Sequence, residues 1–504
     1  MTGSIVNHIV TTPPTRGRLT VMRLDGTETV ELPDLYERAG RLAAHLREQG
    51  IGPGDRIGIL AANSLEWVLL DLAALRLKAV TAGLEPGKFD ADGELLARYD
   101  LKVLFTDQPA EHPGVRPIGE ARRAAERPAA SGALPPVAYA PGEVTTLKFT
   151  SGSTGQPKGL AATVGSIDSS MRAVQEMFAH GPGDELFVFL PLSLLQQRYW
   201  VYSALRHGHD ITISTYEAAF WALPQVRPTV VMGVPAFFET AKKHIEARTG
   251  EGGVAHAARR MFGDRIRYLW TGSAPASAPM LRFFNEAGLP IYEGYGLNET
   301  CIVSKNHPGA SREGSVGQVL PGKQVILDEA GVISVRCDHP VNRRYEYAAP
   351  GDSERMFGPD GVVRTGDLGY VDEDGFLFIR GRADDVIVLD NGKKIIVRPI
   401  EELMRESPAI EECVLFCPTQ TSLVAVVSPA AEPADEAAIH EHLALANATL
   451  GRDEQISGIV IAESRFSIDN NLLTSQFKPQ RRRIFDLYRS RILESHRGVH
   501  ARSH

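Results

Sequence analysis

Apolar residues near the start of the chain recur at helical spacing. Leu35, Ala39, Leu42, Ala43 and Leu46 share one stripe, and Gly50 and Gly52 end it. The apolar run from Arg56 to Ala62 reads as a buried strand. Asn63, with Glu66 three residues on, has the form of a capping box opening the next helix. LKVLFT (101–106) is another buried-type strand, whereas 107–143, rich in Pro, Ala, Gly and Arg, reads as a surface excursion. The strand pattern resumes with FVFLPL (187–192), ITIST (211–215) and VVMGVP (230–235). Strands alternating with helical stripes predict an α/β protein whose parallel sheet carries helices on its faces.

Beyond about residue 310 the pattern changes to short strands with Asp-Gly turns, and DEDGFLFIRG (372–381) reads as a hairpin. From about 384 a smaller α/β unit follows, with EECVLF and LVAVVS as strands. The pattern therefore divides the chain into a large N-terminal domain (1–383, β-rich from about 310) and a small C-terminal one (384–504). The last stretch, SHRGVHARSH, has no apolar stripe and reads as frayed, its three histidines as part of a loose tail. No internal repeat is visible.

A length of 504 residues exceeds one ordinary core and agrees with two to four domains. Apolar content of 43% and charged content of 23% are those of a soluble globular protein. A net charge of −8 supplies no basic face for nucleic acid. Arg481, Arg482 and Arg483 are read as a solvated helix face or a phosphate contact. The N-terminus lacks the pattern of a signal peptide, and no apolar run approaches the ~18 residues that span a bilayer. Cys301, Cys337, Cys413 and Cys417 show no metal-binding spacing and are read as packing residues in a reducing cytoplasm.

Candidate chemistry centres on 147–159, LKFTSGSTGQPKG: a strand, a loop of N–H and O–H donors, and one cation, Lys158. Such a loop suits a polyphosphate. It lacks the Gly and Ser/Thr that a Walker A loop requires at 157 and 159. Alone, it can also be read, less readily, as a flexible linker. Four more segments join it: YEGYGLNET (292–300), RTGD (364–367), RGRADDVIVLDNGKK (380–394) and NLLTSQFKPQRRR (471–483).

In this order the segments resemble the adenylate-forming superfamily of acyl-CoA synthetases, luciferases and peptide-synthetase adenylation domains. GKK and LLTSQFK look most like the long- and medium-chain acyl-CoA ligase branch. The resemblance implies ATP as substrate, Mg²⁺, and a mobile C-terminal lid. Such chemistry forces a carboxylate onto the α-phosphorus, so charge must be neutralised and the attack aligned. It casts Thr150, Ser151, Gly152, Ser153, Thr154, Gly155 and Lys158 around the leaving phosphates, and Glu299 with Thr154 as metal ligands. Ser273, Ala274, Pro275, Tyr295, Gly296 and Asn298 join the nucleotide set, with Tyr295 stacked on adenine. Asp367 would hold the ribose hydroxyls, with Arg382 on the same sugar. Lys478 is the catalytic candidate, with Asn298 and Glu299 beside it. Asp384 falls at the family's hinge, and Gly392, Lys393 and Lys394 on the second face of the lid, close to an entering pantetheine. The same Asn-Gly segment also reads as a plain hairpin turn.

The chain departs from the family pattern on the acceptor side. Val164 follows Thr163 where a histidine is usual, Leu194 holds the histidine place of LPLSHxxxR, Asn298 replaces a threonine, and 331–345 blurs the GExxxxG strand. Gln196, Gln197, Arg198, Trp200, Tyr202, Phe237 and Phe238 are expected in the pocket wall and suggest an aromatic or small polar acid. The leading expectation is an acyl- or aryl-CoA ligase using CoA. A second is a diazotase that adenylates nitrite and passes it to an arylamine; transfer to another amine or a carrier protein is a variant. A third is a nucleotide-binding scaffold without catalysis.

Overall fold

The computed structural model describes residues 3–128, 134–150, 157–250, 252–358, 360–474 and 477–500. Two open, largely parallel sheets form the body. One has six strands in the order Val115–Pro117, Leu101–Thr106, Arg56–Leu60, Val80–Leu84, Val144–Thr150 and Lys158–Thr163, the last antiparallel to its neighbour. The other has nine, with Asp210–Ser214, Glu185–Val188, Val230–Gly233, Tyr268–Thr271 and Ile291–Leu297 parallel through its centre. Strands enclosed on both faces read as unbroken apolar runs. Ile57, Ile59 and Leu60, each 0% exposed, are such a run.

The helix Leu65–Leu77 lies in the main core and is buried on nearly all sides. Its cap is Ser64, whose Oγ accepts from Trp67 N at 3.2 Å, not the expected Asn63. Asn63 is drawn away by longer-range partners. Its amide donates to the carbonyls of Leu190 and Ser214, and its oxygen accepts from Leu192 N. Two adjacent residues with equal capping capacity are here separated by tertiary demand.

The stretch 107–143 also departs from expectation. It holds the edge strand Val115–Pro117 and the helix Gly119–Glu126, whose Ala121, Ala124 and Ala125 are buried. Arg122 on that helix bridges Glu28 and Glu66 at 2.6 Å each. Small alanines packing closely against a neighbouring helix leave little periodic signal.

A four-stranded antiparallel sheet follows, built from Lys323–Leu327, Val332–Cys337, Val362–Val371 and Leu377–Arg382. The expected hairpin is its last pair, turning at 372–375. The C-terminal part is a three-stranded sheet of Ile410–Phe416, Leu423–Pro429 and Ile456–Ile461. Alternate residues serve opposite faces. Leu415, Ala425 and Val427 meet the helices Val397–Met404 and Glu436–Thr449, whereas Val414, Val424 and Val426 meet the helix Arg481–His500. That last helix reaches His500, within the segment expected to fray, whose residues 501–504 lie outside the described residues. No helix among the described residues is long and apolar enough to cross a membrane.

Candidate active site

The two strands of the last hairpin bring distant motifs into register. Asp367 and Arg382 stand directly opposite each other. Arg382 Nη1 donates to Asp367 Oδ1 at 3.0 Å and to the Thr365 carbonyl at 2.8 Å. The other carboxylate oxygen, Oδ2, accepts from the Tyr295 hydroxyl at 2.5 Å. Burial, and then the charge of Asp367, push the Tyr295 phenol well above its ordinary pKa, so it stays a donor. The two hydrogen bonds thus orient the Asp367 carboxylate and fix the Tyr295 ring.

These three residues face a cleft of about 1300 Å³ between the body and the C-terminal part. Ser273, Ala274, Pro275 and Gly296 line it, as does Lys478 from the opposite side. Gly296 is required by contact: a Cβ there would lie 1.9 Å from the Cys301 carbonyl oxygen. The Lys478 loop is tied by Thr474 N to the Lys478 carbonyl at 2.8 Å and by Lys478 N to Thr474 Oγ1 at 3.1 Å. Phe477, with φ of 58°, packs its ring 5.9 Å from Tyr216 of the body. Loss of solvation in the cleft lowers the Lys478 pKa, opposed by Asp367 nearby. Arg481 does not serve as a solvated face. It pairs with Glu401 at 2.7 Å and donates to the Leu415 carbonyl at 2.8 Å, while Arg482 and Arg483 are exposed.

The phosphate-loop candidates Ser151, Gly152, Ser153, Thr154 and Gly155 lie outside the described residues. Their flanks are fixed, because Thr150 pairs with Lys158 and Phe149 with Gly159 across an antiparallel hairpin. Lys158 Nζ meets Asp352 Oδ2 at 2.8 Å and lies 5.1 Å from the Tyr345 ring centroid. The Tyr345 hydroxyl donates to Glu299 Oε1 at 2.6 Å. Glu299 is 6% exposed, and its Oε2 has no hydrogen-bond partner among the described residues. A buried carboxylate with one oxygen to give suits Mg²⁺, which takes one or two protein carboxylates and completes its shell with phosphates and water. Two lysines, Lys148 buried and Lys323 half-buried, pin the chain on either side. Lys148 donates to the Asn298 carbonyl, and Lys323 to the Thr300 carbonyl at 2.7 Å. Neither Tyr345 nor Asp352 is flagged by any motif.

Asp384 sits exposed in the short turn Ala383–Asp385, just after Arg382. Gly392 and Lys393 lie in the turn of a two-stranded ribbon outside the cleft, with Gly392 at φ of 80°, and Lys394 begins its second strand opposite Val388. The expected pocket wall is a correction. Among these residues, Arg198 pairs with Asp71 at 2.9 Å, Tyr202 donates to the same carboxylate at 2.5 Å, and Trp200 packs edge-on to Trp270. Phe237 and Phe238 are 0% exposed in an aromatic core, and neither they nor Gln196 and Gln197 line the cleft. The helix Leu195–His207 is enclosed on most sides. Arg198 Nη1 and the Tyr202 hydroxyl share Asp71, while Gln197 Oε1 and Arg198 Nε and Nη2 are buried without a hydrogen-bond partner among the described residues.

A model of the AMP-binding enzyme family matches residues 12–337, and a model of the AMP-binding enzyme C-terminal domain matches 384–497. The chain is 29% identical over 467 residues to a long-chain-fatty-acid–CoA ligase of Mycobacterium bovis, covering 78% of this chain and 76% of that protein. It is 27% identical over 409 residues to a 2-succinylbenzoate–CoA ligase of Bacillus cereus, covering 76% and 80%. The solved O-succinylbenzoate CoA synthetase of Bacillus subtilis, in complex with ATP and magnesium ion, has the same fold. It gives a TM-score of 0.72 at 20% identity over 91% of this chain and 96% of that one.

Proposed function

The chain belongs to the AMP-binding enzymes, in the acyl-CoA synthetase branch of the adenylate-forming superfamily, and from that premise we propose how its cleft works. It joins a small or aromatic acid to ATP as the AMP anhydride, releases pyrophosphate, and passes the acyl group to CoA. The observation that carries this is the meeting in one cleft of the Asp367–Arg382–Tyr295 cluster with Lys478 from the C-terminal part.

Asp367 accepts the ribose hydroxyls on lone pairs left by Tyr295 and Arg382. The fixed Tyr295 ring is the surface on which adenine stacks. Lys158 meets the leaving phosphates at the hairpin end, and Glu299 is the carboxylate for Mg²⁺, which when bound neutralises phosphate charge. Lys478 brings a cation against both the incoming carboxylate and the α-phosphate, where reduced solvation strengthens it. Asp384 is the turn about which the C-terminal part, residues 384–504, rearranges to bring Gly392, Lys393 and Lys394 toward CoA. The named activities of the relatives, on long-chain fatty acids and on 2-succinylbenzoate, support CoA as acceptor.

A second reading, adenylation of nitrite and transfer to an arylamine, gains from the packing of the helix Leu195–His207. Its residues fill the core instead of walling a deep tunnel. Nitrite needs no more room than a bare carboxylate. Pyrophosphate release across aliphatic acids, aromatic acids and nitrite, each with and without CoA or an arylamine, separates the two. Turnover that needs CoA supports the first reading, and turnover that needs nitrite plus an arylamine the second. Silence throughout contradicts both and leaves a nucleotide-binding scaffold.

A further inference from the structure

Tyr345 touches both halves of the triphosphate apparatus at once. Its hydroxyl holds Glu299 Oε1 at 2.6 Å, and the Nζ of Lys158 lies 5.1 Å from its ring centroid. We propose that Tyr345 is a positioning residue that sets the Glu299 carboxylate for Mg²⁺ and spaces it from Lys158. The inference rests on the reading of Glu299 and Lys158 given above.

The geometry leaves Tyr345 one specific task. The carbonyls on either side of Glu299 are already pinned by Lys148 and Lys323. The backbone there cannot swing, so the remaining freedom of Glu299 is rotation about its side-chain bonds. One hydrogen bond to Oε1 removes that freedom and presents Oε2. Tyr345 is itself anchored. Its N–H donates to Ser353 Oγ at 2.9 Å, and Phe357 packs edge-on against its ring at 5.1 Å. Next to it, Glu346 exchanges both backbone hydrogen bonds with Gly159, at 2.8 Å each. This bridge locks the Tyr345 segment to the base of the loop that carries Lys158. Asp352, 2% exposed, holds Lys158 from the other side at 2.8 Å. The cation and the carboxylate are therefore spaced by one rigid ring.

Tyr345→Phe removes the hydroxyl and keeps the ring and its packing. The readout is ATP affinity by calorimetry on the full chain, in excess MgCl₂ and in EDTA, with no acid present. Tyr345→Phe should reduce the magnesium-dependent gain in ATP affinity about tenfold and leave the EDTA value within about twofold. In a Glu299→Gln background the same change should add less than about twofold, because it acts through that carboxylate. An unchanged magnesium gain in Tyr345→Phe overturns the proposal. So does an equal loss in EDTA and in the Glu299→Gln background, which marks general structural damage. If Glu299→Gln keeps the full magnesium gain, the reading of Glu299 falls and takes this proposal with it. If Glu299→Gln loses the gain and Tyr345→Phe does not, only the role of Tyr345 is refuted.

Discussion

Replacing Asp367 with Asn tests the nucleotide side of the cleft while preserving shape. Asp367 is 8% exposed, so its charge is little screened by solvent. In the free protein its oxygens already accept from Tyr295 and Arg382, at 2.5 and 3.0 Å. The substitution changes one acceptor oxygen to a donor and removes the charge that strengthens the remaining bonds. A hydrogen bond to a charged partner contributes about 1.5–3 kcal/mol, so ATP should bind roughly 10- to 150-fold more weakly. Arg382 keeps 44% of its side chain in solvent and tolerates the loss of its partner, so folding should survive. Tyr295→Phe is the control: it keeps the stacking ring, frees one Asp367 oxygen, and should cost no more than about threefold in affinity. Calorimetric titration with ATP reads both variants, alongside thermal unfolding to confirm the fold. An Asp367→Asn protein that is folded and binds ATP within about threefold of wild type would refute the ribose role.

Three further outcomes are expected. Gly296→Ala should abolish ATP binding in the same titration, because the clash at 1.9 Å is with backbone and no side chain can move to relieve it; retained affinity contradicts this. Arg198→Met leaves Asp71 buried without its cation and should cost about 3–5 kcal/mol in denaturant unfolding, whereas a loss under about 1 kcal/mol contradicts the buried pair. Burial raises Glu185 from 4.5 to about 7. Its folded form binds the proton more tightly than the unfolded chain, so its contribution is full below pH 4.5 and lost as pH rises through about 7. The contribution is at most about 3 kcal/mol. Glu185→Gln keeps the acceptor for Thr212 and should flatten stability between those limits in unfolding experiments. An unchanged pH profile counts against it.

Much of this architecture was legible because it is local. The stripe of Leu35, Ala39, Leu42 and Leu46 became the buried face of the helix Leu32–Glu48, and the apolar runs at 101–106 and 230–233 became strands. The motifs around Asp367 and Arg382 were recognisable in pieces, and a cross-strand pairing joins them. What escaped was set by contacts between distant segments. Asn63 and Ser64 are equivalent caps until Leu190 and Ser214 claim Asn63. Arg198 and Tyr202 look like pocket polar groups until Asp71, more than a hundred residues earlier, is seen to absorb both. Tyr345 meets Glu299 across 46 residues and carries no motif of its own.

The direct test of the account is Lys478→Ala, followed by two assays on one preparation: ATP–pyrophosphate exchange with whichever acid drives release, and ATP binding. A unit charge about 4 Å from the reacting groups contributes roughly 4 kcal/mol at an effective dielectric constant of about 20. Exchange should therefore fall on the order of a hundred- to a thousand-fold. ATP affinity should stay within about threefold, since Tyr295, Asp367 and Arg382 remain. Exchange at the wild-type rate, or a loss explained entirely by weaker ATP binding, would contradict it.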